Sequence, residues 1–140
     1  MTTPPPAGYS GTPQGKKLGI KPGIRLALIN PPADWSLAEE PDVDWVTGRK
    51  PADVIIAFVR AAAELPALLP ALGKRIFPAG ALWIAWPRRA GGHTSDLTDN
   101  IVRAAVLPLG LVDVKIAAID NDWSGMKVVW RLENRGEKKL

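Results

Sequence analysis

The feature that most constrains the fold is a set of three nearly unbroken apolar runs. They are Ile24–Ile29, Asp53–Val59 and Ala81–Trp86. Runs of this kind are typical of strands that are covered on both faces, and the second of them is also rich in β-branched residues. Such strands belong to sheets with a layer of helices on each side. The sequence therefore predicts an α/β protein built around a buried, mostly parallel sheet.

The segments between these runs predict the remaining elements. Apolar residues at helical spacing predict a helix within Arg60–Ile76, in which Pro66 and Pro70 cause a late start or a kink. The other predicted elements, in chain order, are a short helix at Pro13–Leu18, one or two helical turns in Asp34–Glu40, an edge strand at Val43–Val46, a helix at Ser95–Leu107 and a hairpin of Leu111–Ile119 and Met126–Leu132 connected by Asp120–Gly125.

Strands that alternate with helices imply right-handed crossovers between parallel strands, and the closing hairpin makes the last strand antiparallel. We therefore expect a three-layer, Rossmann-like, mostly parallel sheet with a C-terminal antiparallel hairpin strand. This order of elements resembles a small or truncated methyltransferase-type Rossmann fold. We expect residues 1–12 to form a flexible N-terminal arm, residues 13–132 a single α/β domain and residues 133–140 a charged tail.

Composition excludes several functions. The chain has no cysteine, which excludes disulfides and thiolate zinc sites, and its one histidine and scattered acids lack the spacing of a metal site. We expect no signal peptide, because the N-terminal segment has no apolar core, and no membrane-spanning helix, because no apolar run approaches the roughly 18 residues that one needs. We therefore expect a cytoplasmic protein without a metal or a membrane partner.

The net charge of +4 does not indicate a nucleic-acid-binding face. Four of the 18 basic residues and none of the acidic ones lie in residues 1–33, so the other 14 basic residues balance the 14 acidic residues of the body. A folded DNA-binding surface needs clustered basic residues instead. The distribution therefore disfavours nucleic acid as a partner.

The most promising candidate site is the loop that follows the third apolar run. Arg88, Arg89, Gly91, Gly92 and Thr94 precede the predicted helix, at the strand end where open α/β sheets place ligands. Two guanidinium groups, a glycine-bearing loop and a helix N-terminus favour a small anion such as a phosphate or carboxylate. The alternative is an ordinary loop with solvated arginines, in which Thr94 or Ser95 caps the helix.

Further candidate residues follow other strands. Asn30 comes after the first apolar run, and Asp120 and Trp123 lie in the hairpin connection. Because the carboxyl ends of parallel strands share one sheet edge, we expect Asn30 and Arg88 to converge there. Asp120 joins them if its strand runs parallel too. Asp120 and Asp122 suit acid–base chemistry or a tight turn, and Trp123 suits ligand stacking or the core. His93 is a general-base candidate or a plain loop residue.

Three blocks of sequence resemble a small, uncharacterised bacterial family catalogued as domain of unknown function 3052. They are Tyr9–Gly23, Gly80–Thr98 and Gly110–Arg131, so the resemblance extends over nearly the whole chain. It implies a single intact domain in the bacterial cytoplasm and no particular activity.

The methyltransferase resemblance raises the question of S-adenosylmethionine (SAM). Binding of this cofactor requires a glycine-rich turn after the first strand and an acidic residue at the end of the second. The chain has Asn30–Asp34 and Val46–Gly48 at these places, without the required residues. The sequence therefore favours a non-catalytic binding or regulatory module without a cofactor, for a small anionic ligand or a protein partner. The alternative is an enzyme of SAM-dependent methyltransferase ancestry with an altered cofactor pocket.

Overall fold

A six-stranded sheet is the centre of the protein. The structure is a computed structural model, which describes residues 14–33, 35–37, 42–89 and 92–135. The strands are β1 (Arg25–Ile29), β2 (Asp44–Trp45), β3 (Val54–Phe58), β4 (Ala81–Pro87), β5 (Leu111–Ala118) and β6 (Trp123–Trp130). Their order across the sheet is β2-β1-β3-β4-β6-β5.

The first four strands are parallel, and β6 is antiparallel to both β4 and β5. As a result β5 runs in the same direction as the first four strands. The central strands β3 and β4 are buried almost throughout, as the apolar runs predict, because the sheet is covered on both faces. The sheet is therefore mostly parallel and has the expected C-terminal hairpin.

Helices cover one face of the sheet. They are α2 (Leu65–Ile76) and α3 (Asp99–Val106), which bury Leu69, Val102 and Val106 against Ile55 and Ile84. We call this side the helix face. Short 3-10 turns at Ala62–Glu64 and Leu107–Leu109 flank the two helices.

A smaller layer covers the opposite face. It consists of the five-residue helix α1 (Gln14–Leu18) and of Trp35 and Leu37, which pack with Phe58 and Trp83. Trp83 and Trp86 lie on opposite faces, as expected for strand residues three positions apart. Within the described ranges, no helix has the length and apolar character needed to span a membrane.

Several predicted boundaries are wrong. Helix α3 begins at Asp99 rather than at Ser95, and β6 begins at Trp123 rather than at Met126. Helix α2, by contrast, has the expected late start, at Leu65 after a 3-10 turn. The described part of Asp34–Glu40, residues 35–37, contains no helix. Residues 1–12, Pro13 and residues 136–140 lie outside the described ranges, so the predicted arm and the end of the predicted tail stay predictions.

Candidate functional site

Four loops meet at the carboxyl edge of the sheet. Asn30 follows β1, Arg60 lies beyond β3, Arg88 follows β4 and Asp120 lies beyond β5. Because these four strands run in the same direction, their carboxyl ends share one edge. The expected convergence of Asn30, Arg88 and Asp120 is present, and Arg60 joins it.

Asp120 organises the connection between β5 and β6. Its Oδ1 accepts hydrogen bonds from the backbone N–H groups of Asp122 (2.8 Å) and Trp123 (2.9 Å). Its Oδ2 accepts one from the indole Nε1 of Trp35 (2.8 Å). A carboxylate that satisfies backbone donors two and three residues ahead is typical of a tight turn. Asp120 therefore shapes the edge, and its carboxylate is already engaged.

One hollow at this edge has a volume of about 680 Å³, and we call it the edge cleft. Gly92 and Thr94, both candidates from the sequence, line it. Its walls are otherwise made mainly by Pro32, Arg60, Pro87, His93, Asp122 and Trp123. This volume lies within the range of small-molecule sites.

The second hollow, of about 380 Å³, lies on the helix face, and we call it the arginine pocket. It extends from the end of β4 to the N-terminus of α3 and lies against β5 and β6. Arg88 and Arg89 contribute to its rim together with Thr98, and Trp86, Leu97 and Ile116 supply apolar surface. The two arginines singled out by the sequence thus line a different hollow from Gly92 and Thr94.

Thr98 caps α3. Its side-chain oxygen accepts a hydrogen bond from the N–H of Ile101 (3.2 Å), and its carbonyl accepts one from Val102 (3.0 Å). The expected cap at Thr94 or Ser95 is therefore wrong. The Ser95 hydroxyl instead donates to the carbonyl of Arg60 (3.2 Å) and accepts from the N–H of Leu97 (3.1 Å). Ser95 thereby ties the loop after β4 to the end of β3.

His93 has a carboxylate partner that sequence spacing does not reveal. Its Nε2 lies 2.9 Å from Oδ1 of Asp122, which is 29 residues further along the chain. Backbone hydrogen bonds from Arg88 N–H to the Asp122 carbonyl (2.8 Å) and from His93 N–H to the Arg88 carbonyl (3.3 Å) hold the two loops together. Both side chains are substantially exposed and line the edge cleft.

Arg60 is the functional candidate that sequence analysis missed. Its guanidinium carbon lies 5.4 Å from the ring centroid of Trp123, within the range of a cation–π contact, and its Nη1 donates to the Asn30 carbonyl (3.3 Å). Trp123 is itself only 9% exposed and packs edge-to-face with Phe58, so it belongs largely to the core. The sequence signal for Arg60 was its position directly after a buried strand.

Helix α1 contacts the carboxyl edge from the side of the sheet opposite the helix face. The ammonium of Lys17 donates to the carbonyl of Ala118 (2.8 Å), and the side-chain amide of Gln14 donates to the carbonyl of Ile119 (2.9 Å). Burial lowers the pKa of Lys17, and the positive charges of Lys115 and Arg88 lower it further. The buried polar groups of α1 thus fix the end of β5.

The other candidates from the sequence have these positions. Asn30 adopts the left-handed conformation (φ 53°), and its carbonyl accepts the bond from Arg60. Asp120 lines neither hollow among the described residues. Gly91 lies outside the described ranges. Within those ranges no three or more His, Cys, Asp or Glu residues are grouped as a metal site would require.

These features define the class: the protein has a methyltransferase-like Rossmann fold with an antiparallel C-terminal hairpin. It is similar in structure to the Methanococcus jannaschii fibrillarin pre-rRNA processing protein, with a TM-score of 0.52 and 14% sequence identity. The similarity covers 84% of this chain and 69% of the fibrillarin chain. No family model and no curated protein sequence matches, so the resemblance to domain of unknown function 3052 stays a prediction.

The fold class raises the question of whether these residues fit SAM. Instead of glycines, the turn after β1 contains Asn30 and two prolines. On the side of the sheet opposite the helix face, the indole of Trp35 packs edge-on against Phe58 at the end of β3, with ring centroids 4.8 Å apart. The segment after β2, Val46–Gly48, contains no acid to hold a ribose. The residues present therefore do not fit SAM in the arrangement that the fold ordinarily uses.

Proposed function

We propose that this protein is a non-catalytic binding module that takes a small anionic ligand in the arginine pocket. The observation that carries the proposal is the position of Arg88 and Arg89 beside the N-terminus of α3. Guanidinium groups and the first N–H groups of a helix both favour phosphate or carboxylate oxygens. The apolar surface of Trp86, Leu97 and Ile116 favours a ligand that also has an apolar part.

The ligand class follows from this combination. An aliphatic or aromatic carboxylate, or an organic phosphate, can place its anionic group at the arginines and its carbon skeleton against Ile116. Asp99 also lines the pocket, but its carboxylate lies near Arg103 (3.9 Å), which offsets part of its charge. A protein partner that presents a carboxylate to the same arginines is the second form of this proposal.

A thermal-shift panel tests the proposal. The panel contains benzoate, inorganic phosphate, nucleotides, sugar phosphates, SAM and its demethylated product. A ligand at about 100 times its dissociation constant stabilises the folded state by roughly 2.7 kcal/mol, which gives a clear shift. We expect the shift with an organic anion to disappear in the double variant Arg88→Ala/Arg89→Ala, while the melting of the free protein changes little.

The matched control is the double variant Arg49→Ala/Lys50→Ala. This pair is also adjacent, basic and exposed, but it lies at the opposite sheet edge, where the Lys50 carbonyl accepts a hydrogen bond from Arg75. The control should bind like the wild type. Equal loss of binding in both double variants would mean that general positive charge, and not the arginine pocket, attracts the anion.

The second candidate function is an enzyme of SAM-dependent methyltransferase ancestry with an altered cofactor pocket. The methyltransferase-like fold favours it, whereas the poor fit of SAM to the turn after β1 weighs against it. A thermal shift with SAM or its demethylated product would favour this function over the first.

Membership in the bacterial family of domain of unknown function 3052 and a cytoplasmic location are proposals of the same kind. Fractionation of cells that produce the native protein tests the location.

A further inference from the structure

The edge cleft differs from the arginine pocket in both position and chemistry. Pro87 lines both hollows, but the cleft lies around Arg60, His93, Asp122 and Trp123. In the edge cleft, Arg60 offers a charged hydrogen-bond donor and His93 offers an imidazole, and the two residues belong to different loops. The proposed function uses none of these four residues.

The hydrogen bond to Asp122 determines what His93 offers to a ligand. An ionised carboxylate only accepts hydrogen bonds, so the proton of the neutral ring is assigned to Nε2, which donates to Asp122 Oδ1 over 2.9 Å. The other ring nitrogen, Nδ1, then has a free lone pair. With its side chain 44% exposed, His93 presents a hydrogen-bond acceptor at the cleft.

Arg60 offers hydrogen-bond donors, where His93 offers an acceptor. The guanidinium carries five N–H groups, of which the contact with the Asn30 carbonyl uses one. The neighbouring carboxylates already have partners: Glu64 accepts from the Arg60 N–H (3.3 Å) and Asp96 accepts from the Ala62 N–H (3.0 Å). Asp122 is engaged by His93. Arg60 is exposed and lines the edge cleft, so its remaining N–H groups can donate to a ligand there.

We propose that the edge cleft is a second binding site, which takes a small hydroxylated phosphate ester such as a sugar phosphate. The phosphate oxygens accept from Arg60, and a ligand hydroxyl donates to Nδ1 of His93. The proline rings of Pro32 and Pro87 provide apolar walls for the C–H faces of a sugar. This proposal is independent of the arginine pocket.

The test uses the fact that His93 is the only histidine of the chain. Diethyl pyrocarbonate modifies the unprotonated imidazole nitrogen, and peptide mass spectrometry reports that one site. We expect ribose 5-phosphate to protect His93 from modification, and ribose or inorganic phosphate alone to protect it much less. Calorimetry on the same protein then gives the affinity for ribose 5-phosphate.

Two substitutions test which residue binds the phosphate and which binds the hydroxyl group of the ligand. We expect Arg60→Ala to weaken ribose 5-phosphate binding by about tenfold or more, the usual loss for a charge-assisted hydrogen bond. The exposed control Arg49→Ala should leave it unchanged. His93→Phe, which fills the space without an acceptor, should weaken binding of ribose 5-phosphate more than that of inorganic phosphate.

The possible outcomes separate this proposal from the proposed function. Arg89→Ala should weaken binding in the arginine pocket and leave the protection of His93 intact, because Arg89 lines that pocket and not the edge cleft. Arg88 is kept in this test, because its Nη1 donates to the carbonyl of Asn121 (3.3 Å), next to Asp122. Equal protection by inorganic phosphate would overturn the role of the hydroxyl group. Absence of binding, or unchanged binding in Arg60→Ala, would overturn the site as a whole.

Discussion

At the scale of the residue, one carboxylate does much to shape the carboxyl edge. Asp120 accepts three hydrogen bonds: two from backbone N–H groups of the turn that it begins, and one from the indole of Trp35 in the segment after β1. The side chain thus links the β5–β6 connection to the segment after β1. A group with this role affects stability more than it affects binding.

We therefore expect Asp120→Ala to lower the free energy of unfolding by about 2 to 3 kcal/mol, since it leaves two backbone donors and one indole donor without their acceptor. Chemical denaturation measures this change. The control is Asn121→Ala, at an exposed neighbour, which should stay within about 0.5 kcal/mol of the wild type. A loss in Asp120→Ala no larger than in the control would show that water replaces the three bonds at little cost.

At the scale of the element, the buried strands were predictable because the sheet is covered on both faces. A short, unbroken apolar run such as Asp53–Val59 can form few structures other than a strand that is buried on both faces. The start of α3 was not predictable, because Thr94, Ser95 and Thr98 are all good cap residues and local sequence does not rank them. Tertiary contacts decide: Ser95 bonds to Arg60, which leaves Thr98 as the cap.

The start of β6 was missed for a related reason. Asp120, Asn121, Ser124 and Gly125 are all typical of turns, so the sequence predicted a six-residue connection. In the structure β6 extends back to Trp123, which pairs with Pro87, and Gly125 pairs with Ala85. An added Cβ at Gly125 would lie 2.7 Å from the Ile119 side chain, so this glycine serves close packing within a strand.

Gly80, at the junction of α2 and β4, provides a prediction about the elements. An added Cβ there would lie 2.8 Å from the Ala52 carbonyl and 2.9 Å from the Ile76 carbonyl, both of which are backbone atoms. We expect Gly80→Ala to destabilise the protein by about 1 to 3 kcal/mol, because the helix and the strand must move apart.

The matched control for Gly80→Ala is Gly73→Ala within α2, where the nearest atom to the added Cβ is a side-chain carbon of Trp130 at 3.4 Å. Alanine favours helices over glycine by up to about 1 kcal/mol, so this variant should be neutral or slightly stabilised. Thermal denaturation of both variants distinguishes the two effects. Equal melting temperatures of the two variants would show that the α2–β4 junction accommodates the added methyl group without loss of stability.

At the scale of the whole molecule, topology and site were predictable to different degrees. The sequence predicted the parallel sheet and the convergence of Asn30, Arg88 and Asp120, because strand direction determines where loops meet. It did not reveal the pairing of His93 with Asp122 or the position of Arg60 over Trp123. Both contacts join segments far apart in the chain, and their distances depend on how the loops pack.

An ion pair at the amino edge of the sheet carries the pH dependence that we predict for the stability of the protein. The guanidinium of Arg25 donates to Asp53 from Nε (3.3 Å) and Nη2 (3.0 Å), and the Arg25 backbone N–H donates to it as well (2.8 Å). The side-chain hydrogen bonds from Arg25, followed by the backbone one, hold the pKa of Asp53 below its ordinary value of 3.8. This ion pair joins the start of β1 to the residue before β3.

Because the folded state lowers this pKa, the ionised carboxylate stabilises folding above pH 3.8, and the contribution is lost as the pH falls through the lowered pKa. We expect Asp53→Asn to melt at a lower temperature than the wild type at neutral pH, and the difference to close on acidification. The effect is modest because both side chains are nearly half exposed. Asp42→Asn, at an exposed neighbouring acid, serves as the control. If the difference in melting temperature between the wild type and Asp53→Asn did not change with pH, the carboxylate would act through its shape and not through its charge.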